Sequence, residues 1–312
     1  PTTPGSPVET FTLEISPAPP SGVTQKSGVT GNSLTWEGLE NGTDYQVRVQ
    51  AHNRAPEPSS WSGWSPGEIP AGPPAPAAAP TTAALDPVGS RAQMQVSWAA
   101  PNSNGDAIDG YQLRVHRGSS VVQTISVGAG ATSQAVVVDT NETGYTYTIR
   151  AQNKAGWGEW SPPSAERRGV IAPDAPTGVS AAPRDRSIAL TYNALSAEQR
   201  NGARAGEITY QYSVNGGNWQ GGTNGTSMTI SGLANGSDYT VRVRAVANVG
   251  GSSYGGAASG GATARPFGPV QNPGANARNL GTQVELSWSA PPENGRPITQ
   301  MQIRVNNGGW EN

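Results

Sequence analysis

The sequence predicts an all-β chain of tandem antiparallel β-sandwiches, and three observations carry that prediction. A tyrosine-led segment recurs three times along the 312 residues, with tyrosines at 45, 145 and 239. Within each copy apolar and polar residues alternate, the period of two expected of a strand with one buried face. No stretch combines a 3.6-residue apolar period with helix-capping residues at its ends.

The repeat is most complete at its ends. Leu39-Glu-Asn-Gly-Thr-Asp-Tyr45-Gln-Val47-Arg-Val49-Gln-Ala51 returns as Leu233-Ala-Asn-Gly-Ser-Asp-Tyr239-Thr-Val241-Arg-Val243-Arg-Ala245, and a middle copy reads Tyr145-Thr-Tyr147-Thr-Ile149-Arg-Ala151. Tyrosine spacings of 100 and 94 residues correspond to one small domain per repeat, well beyond solenoid units. Two more strands recur upstream. One ends on a large aromatic residue: Met94-Gln-Val96-Ser-Trp98, Ile188-Ala-Leu190-Thr-Tyr192 and Val284-Glu-Leu286-Ser-Trp288, which makes Trp98, Tyr192 and Trp288 candidate core residues. The other reads Phe11-Thr-Leu13-Glu-Ile15, Tyr111-Gln-Leu113-Arg-Val115, Tyr210-Gln-Tyr212-Ser-Val214 and Met301-Gln-Ile303-Arg-Val305. Loops such as Pro101-Asn-Ser-Asn-Gly105 and Pro291-Pro-Glu-Asn-Gly295 join the two, and short strands separated by turn residues indicate sandwiches.

A tryptophan closing the second strand, a Leu-x-x-Gly-x-x-Tyr corner and a Tyr-x-Val-x-Val-x-Ala-x-Asn strand together resemble fibronectin type III modules. The resemblance implies immunoglobulin-like sandwiches over nearly the whole chain. It also implies tyrosine corners at Tyr45, Tyr145 and Tyr239, whose buried hydroxyls bond back to loop backbone. The third repeat departs from the pattern with Tyr192 in place of tryptophan, and the second lacks the leucine and glycine before Tyr145. Proline-rich junctions near residues 71–80, 171–176 and 265–269 set module boundaries at 1–71, 72–170, 171–265 and 266–312. The first module is expected to lack its first two strands, and the last to hold only its first three. Four prolines in the first junction make it the loosest, a semi-rigid extended linker, and the expected assembly is an elongated rod.

Composition narrows the function. With 41 glycines and 27 prolines, serine added, the chain reaches the level at which aperiodic sequences are disordered, so the repeats are what argue for folding. Charged residues are 13% and the net charge is −2, which gives no basic footprint for nucleic acid or a membrane surface. No cysteine is present, so disulfides, thiol nucleophiles and thiolate metal sites are excluded. No membrane span or leader is legible in this window, and a chain opening on Pro1 reads as an excerpt of something longer or a processed piece. Arginine outnumbers lysine 18 to 2, a bias of GC-rich bacterial genomes.

Candidate chemistry is sparse. His52 and His116 occupy outward strand positions with no acid or serine beside them, no motif pairs carboxylates for acid–base work, and no glycine-rich loop cradles phosphate. Neither a cofactor nor a catalytic residue is expected. Asn102, Asn104, Asp106 and Asp109 have a calcium-loop spacing without its closing glutamate and read as a turn. Asn41, Asn141, Asn224 and Asn235 stand in glycosylation sequons that turn chemistry also explains.

One constellation stands out. Trp61-Ser-Gly-Trp64-Ser follows the first tyrosine strand and Trp157-Gly-Glu-Trp160-Ser follows the second. The pattern resembles that of class I cytokine receptors, which implies tryptophans interleaved with arginines of the neighbouring strand, here Arg48 and Arg150. Two readings stay open: a stacked ladder that stiffens a wet sheet face, or a flat aromatic platform for sugar rings or a protein partner. The expected function is a non-catalytic structural or interaction array, extracellular or on a cell surface, whose partners are other proteins or surface polymers. The alternative is an accessory spacer or carbohydrate-contacting region of a secreted polysaccharide-degrading enzyme. Head-to-tail strand exchange between the incomplete end modules is a further expectation.

Overall fold

The computed structural model describes residues 5–312. The chain divides into two compact units. One comprises residues up to 86 with 93–137 and 144–167; the other comprises 87–92, 138–143 and 168–312. The division runs through the second repeat and not through a proline junction.

The first unit opens with β1 (Thr10–Ser16), β2 (Gln25–Val29) and β3 (Gln46–His52), a sheet ordered β2-β1-β3. Phe11, Leu13 and Ile15 pair with Ala51, Val49 and Val47, so the period of two places all six on one face. The second repeat contributes β4 (Thr81–Val88), β5 (Arg91–Ser97), β6 (Gly110–Arg117), β7 (Ser120–Gly128), β8 (Ser133–Val138), β9 (Gly144–Asn153), β10 (Gly156–Trp157) and β11 (Arg167–Arg168). One sheet is ordered β4-β5-β8, the other β10-β9-β6-β7, with β11 also on β9. Met94, Val96, Leu113, Val115, Tyr147 and Ile149 are completely buried between them, and each such side chain stabilises the fold by about 1.5–3 kcal/mol. Trp98 tilts against Tyr111 with ring centroids 5.5 Å apart.

The second unit repeats this plan with β12 (Ser180–Arg184), β13 (Ser187–Thr191), β14 (Ile208–Val214), β15 (Gln220–Thr223), β16 (Ser227–Ser231), β17 (Tyr239–Val249), β18 (Ser252–Gly255) and β19 (Ala262–Ala264). The sheets are β12-β13-β16 and β15-β14-β17-β18, with β19 also on β17. Ile188, Leu190, Val241, Val243 and Ala245 form its centre. Tyr192 fills the tryptophan slot: it is buried, packs on Tyr210 at 4.8 Å and donates its hydroxyl to the Gly225 carbonyl at 2.9 Å. Burial pushes its pKa up to about 12.

The last repeat holds a hairpin of β20 (Ala275–Asn279) and β21 (Val284–Trp288). Two expectations need correction here. Trp288 is not a core residue: it is 45% exposed, because no second sheet faces β21 among the described residues. The strand expected at 301–305 is reduced to a single bridge between Ile303 and Glu311; its counterparts β6 and β14 are each flanked by two strands, and here no such flanking strands are present among the described residues.

Candidate functional site

After each tyrosine strand a stretch of chain runs beside it without regular strand structure: residues 59–65 in the first repeat, those between β10 and β11 in the second, and those between β18 and β19 in the third. In the first repeat a serine recurs every third residue, and Ser59, Ser62 and Ser65 meet Ala51, Val49 and Val47, every second residue of β3. Each serine N–H donates to the strand carbonyl at 2.9, 2.9 and 2.8 Å. Each Oγ accepts the N–H of the same strand residue at 2.8, 3.0 and 3.0 Å, and donates to the carbonyl of the next residue. A strand edge offers alternating donors and acceptors that must all be met. Three residues per step leave no segment carbonyl in place for the strand N–H, and the hydroxyl takes that position. The second repeat repeats the clip with Ser161 on Ile149 and Ser164 on Tyr147, and the third with Ser259 on Val243. Gly158 and Gly256 hold the first step, their N–H groups on Ala151 and Ala245. A Cβ on either would lie 2.2 Å from the Pro74 carbonyl oxygen or 2.4 Å from that of Pro173, so the junction backbone occupies the space of a side chain.

The three-residue step also places the residue before each clip at the head of a row over the sheet. Arg48 lies between two indoles, 4.8 Å from the Trp61 ring centre and 4.6 Å from that of Trp64. Its guanidinium also meets the carboxylate of Glu14, its direct cross-strand partner, and the Arg48 and Gln25 hydrogen bonds hold the Glu14 carboxyl below the ordinary carboxylate range. In the second repeat Arg150 sits 4.6 Å from both Trp157 and Trp160. Its Nε and Nη2 donate to Oε1 of the cross-strand Gln112 at 3.1 and 2.8 Å. Arg114 of β6 lies 4.1 Å from Trp160 and extends the row to four groups.

The two tryptophan motifs are out of step in space. Ser62 and Ser161 clip the equivalent residues Val49 and Ile149, so Trp61 corresponds to Trp160 and not to Trp157. The arginine moves with the indoles, since Arg150 stands level with Gln50 and Arg48 with Thr148. In the third repeat Gly255 and Ala258 precede the clips, and Arg244 takes its indole from the other edge of the sheet. Trp219, in the turn between β14 and β15, lies 4.6 Å from it, while Gln211 accepts from its Nε and Nη2 at 2.9 and 2.7 Å. Sequence reasoning missed Arg114, Arg244 and Trp219; the outward alternation of β6 and β17 was the only signal for the two arginines, and Trp219, in a turn, had none.

Other candidates resolve into local structure. The Tyr45 hydroxyl accepts the Glu40 N–H at 3.1 Å, and that of Tyr239 the Ala234 N–H at 3.0 Å; Tyr145 is buried in the second repeat. His52 bonds Thr12 at 2.8 Å and His116 bonds Thr148 at 2.9 Å, with burial and then Arg114 lowering the His116 pKa. Asn102 Oδ1 accepts the Asn104 N–H at 2.8 Å within its turn, and Asp106 accepts from the Lys154 N–H. No group of metal-ligating side chains gathers among the described residues. No helix there is long and apolar enough to cross a membrane.

Repeated antiparallel sandwiches, with an arginine of the tyrosine strand set against an indole in each of the first three repeats, define an array of immunoglobulin-like modules. Residues 1–65 and 78–167 match the family model of the Fibronectin type III domain. Among solved structures, the chain is similar to the crystal structure of chicken CNTN1 FN1-FN3 domains, with 20% identity and a TM-score of 0.31 over 70% of this chain and 76% of that one. None of the curated proteins compared with it matches. The chain belongs to the fibronectin type III family and carries its modules in tandem.

Proposed function

We propose that the chain is a non-catalytic array of an extracytoplasmic bacterial protein, spacing its modules and presenting them as a protein-binding or adhesive scaffold, with modules at 1–71, 72–170, 171–265 and 266–312. Fibronectin type III modules are structural and interaction modules, which supports this reading. Within it the tryptophan–arginine rows brace the sheets. The observation that carries this is that Arg48 and Arg150 have an indole on each face and a cross-strand acceptor at the edge. Purified protein assayed against polysaccharide, peptide and ester substrates is expected to give no turnover; turnover abolished by one defined substitution overturns the proposal.

A second reading, a carbohydrate-contacting accessory region of a secreted polysaccharide-degrading enzyme, has one observation in its favour. Trp64 and Trp157 end their rows and are 41% and 37% exposed, and flat exposed indoles suit sugar rings and protein hot spots alike. A glycan array decides between the two. Binding abolished by Trp64→Ala or Trp157→Ala at an unchanged unfolding midpoint favours the platform, and absence of binding favours the brace.

A further inference from the structure

Three pairs of loops meet the chain between repeats in one and the same way. In each tyrosine-corner loop a backbone N–H, of Gly42, Asn141 or Gly236, donates to a junction carbonyl, of Pro70, Gly169 or Pro266, at 2.9, 3.0 and 2.9 Å. Two residues on, the junction N–H groups of Gly72, Ile171 and Gly268 donate to the carbonyls of Asn104, Asn201 and Asn294 at 2.9, 3.2 and 3.0 Å. Those asparagines return a bond from Nδ2 to the carbonyls of Pro73, Ala172 and Pro269 at 3.0, 2.8 and 2.7 Å. Direct bonds across the junction complete the set: Asn41 Nδ2 to Asn104 Oδ1 at 3.0 Å, Asn235 Nδ2 to Asn294 Oδ1 at 2.7 Å, and Arg200 to Glu142 at 2.6 Å in the middle one.

Each of the three asparagines has a left-handed backbone, φ 58, 49 and 44°, and precedes a glycine at 99, 91 or 95°. Left-handed geometry alone favours Asn-Gly. Here there is a second requirement, because a Cβ on Gly105, Gly202 or Gly295 would lie 2.5, 2.1 or 2.6 Å from the junction carbonyl of Pro70, Gly169 or Pro266. Gly89, also left-handed, has open space around it. Ordinary turns therefore do not explain the fit.

We infer that these loops and the junction form a repeated inter-module binding site, an Asn-Gly clasp, in which the residues between repeats are a bound strap and not a free spacer. The four-proline junction carries the same bonds as the shorter ones, so it is as firmly held as they are. Adjacent modules are ordinarily expected to move relative to one another; at the first and last junctions, each of which lies inside one compact unit, the clasp suppresses that motion. This inference stands apart from what the array binds.

The absence of cysteine makes the test direct. Spin labels on Ser60→Cys and Ser119→Cys of the full chain, both exposed and both within the first unit, report the distance across the first junction. The parent is expected to give one narrow distance distribution, Gly105→Ala one about twofold broader, and Gly89→Ala the parental one. A broad parental distribution, or a Gly105→Ala distribution as narrow as the parental one, overturns the clasp. Should Gly105→Ala also lower the unfolding midpoint, the double variant Asn41→Ala, Asn104→Asp, in which aspartate tolerates the left-handed backbone at 104 and only the side-chain donors are lost, carries the decision by the same criterion.

Discussion

Arg48 and Arg150 each combine three stabilising contacts, two indole faces and one cross-strand acceptor, on a sheet face that is otherwise open to water. An arginine stacked on an indole at an exposed site contributes about 0.5–1 kcal/mol, and its aliphatic stem covers apolar surface besides. Arg48→Ala and Arg150→Ala are each expected to cost about 0.5–2 kcal/mol in denaturant unfolding, and parental midpoints for both would remove the stacking argument. Gly158 makes the opposite case, a residue that matters for what it lacks. Its Cβ would sit 2.2 Å from the Pro74 oxygen, so Gly158→Ala should lower stability by about 1–3 kcal/mol through overpacking, against little effect for Gly130→Ala, which has open space. Arg48 and Arg150 were legible because outward positions alternate along one strand. Arg114 was not, since its approach to Trp160 depends on which strands lie side by side.

At the level of the element, the serine clip continues the edge pairing of the tyrosine strand where the chain beside it has no regular strand structure. Ser161 is buried, and its Oγ is the acceptor for the Ile149 N–H. Ser161→Ala therefore leaves a buried donor without a partner and is expected to cost about 1–3 kcal/mol. Ser62 makes the same bond to Val49 in the open, where water replaces the hydroxyl, so Ser62→Ala should stay within about 0.5 kcal/mol. Equal losses in thermal or denaturant unfolding would show that the hydroxyl acts otherwise than as a stand-in acceptor. The strands themselves were readable, from Met94-Gln-Val96-Ser-Trp98 to Tyr239-Thr-Val241, because burial on one face imposes a period of two. The clip has a period of three, which matches neither strand nor helix. The two tryptophan motifs spell nearly the same letters, yet the strand residue each serine faces sets their positions, and that register is invisible in the motif. Trp288 shares its local pattern with Trp98, but burial depends on a facing sheet that no local pattern supplies.

At the scale of the chain, part of the glycine content that suggested disorder serves the clips and clasps: at Gly105, Gly158, Gly202, Gly256 and Gly295 a Cβ would lie within 2.6 Å of a junction carbonyl oxygen. Charge is used sparingly, and this gives each unit its own acid sensitivity. In the first unit Glu14 is held by Arg48 and Gln25. In the second, Glu207 accepts two bonds from Arg168, at 2.9 and 2.5 Å, and the Arg204 N–H at 2.8 Å. The Arg168 hydrogen bond is the main cause that holds the Glu207 carboxyl below its ordinary value of 4.5, against the opposing effect of burial. A carboxylate with a depressed folded-state pKa stabilises the fold fully above its unfolded pKa, and that contribution is lost as pH falls through the folded value. Stability is therefore expected to fall first as pH drops through about 6.5, where unfolded His116 binds a proton that burial and Arg114 oppose in the fold, and again below about 4.5, where the unfolded carboxylates begin to bind protons and the folded ones do not. Glu207→Gln removes the charge and keeps the shape. It should lower the unfolding midpoint of the second unit at pH 7 and reduce its further loss between pH 5 and pH 3, leaving the response of the first unit, which holds Glu14 and His116, unchanged. Calorimetric scans of parent and variant at pH 7, 5 and 3 measure both quantities, and an unchanged acid slope in the variant would show that the Arg168 pair does not govern it.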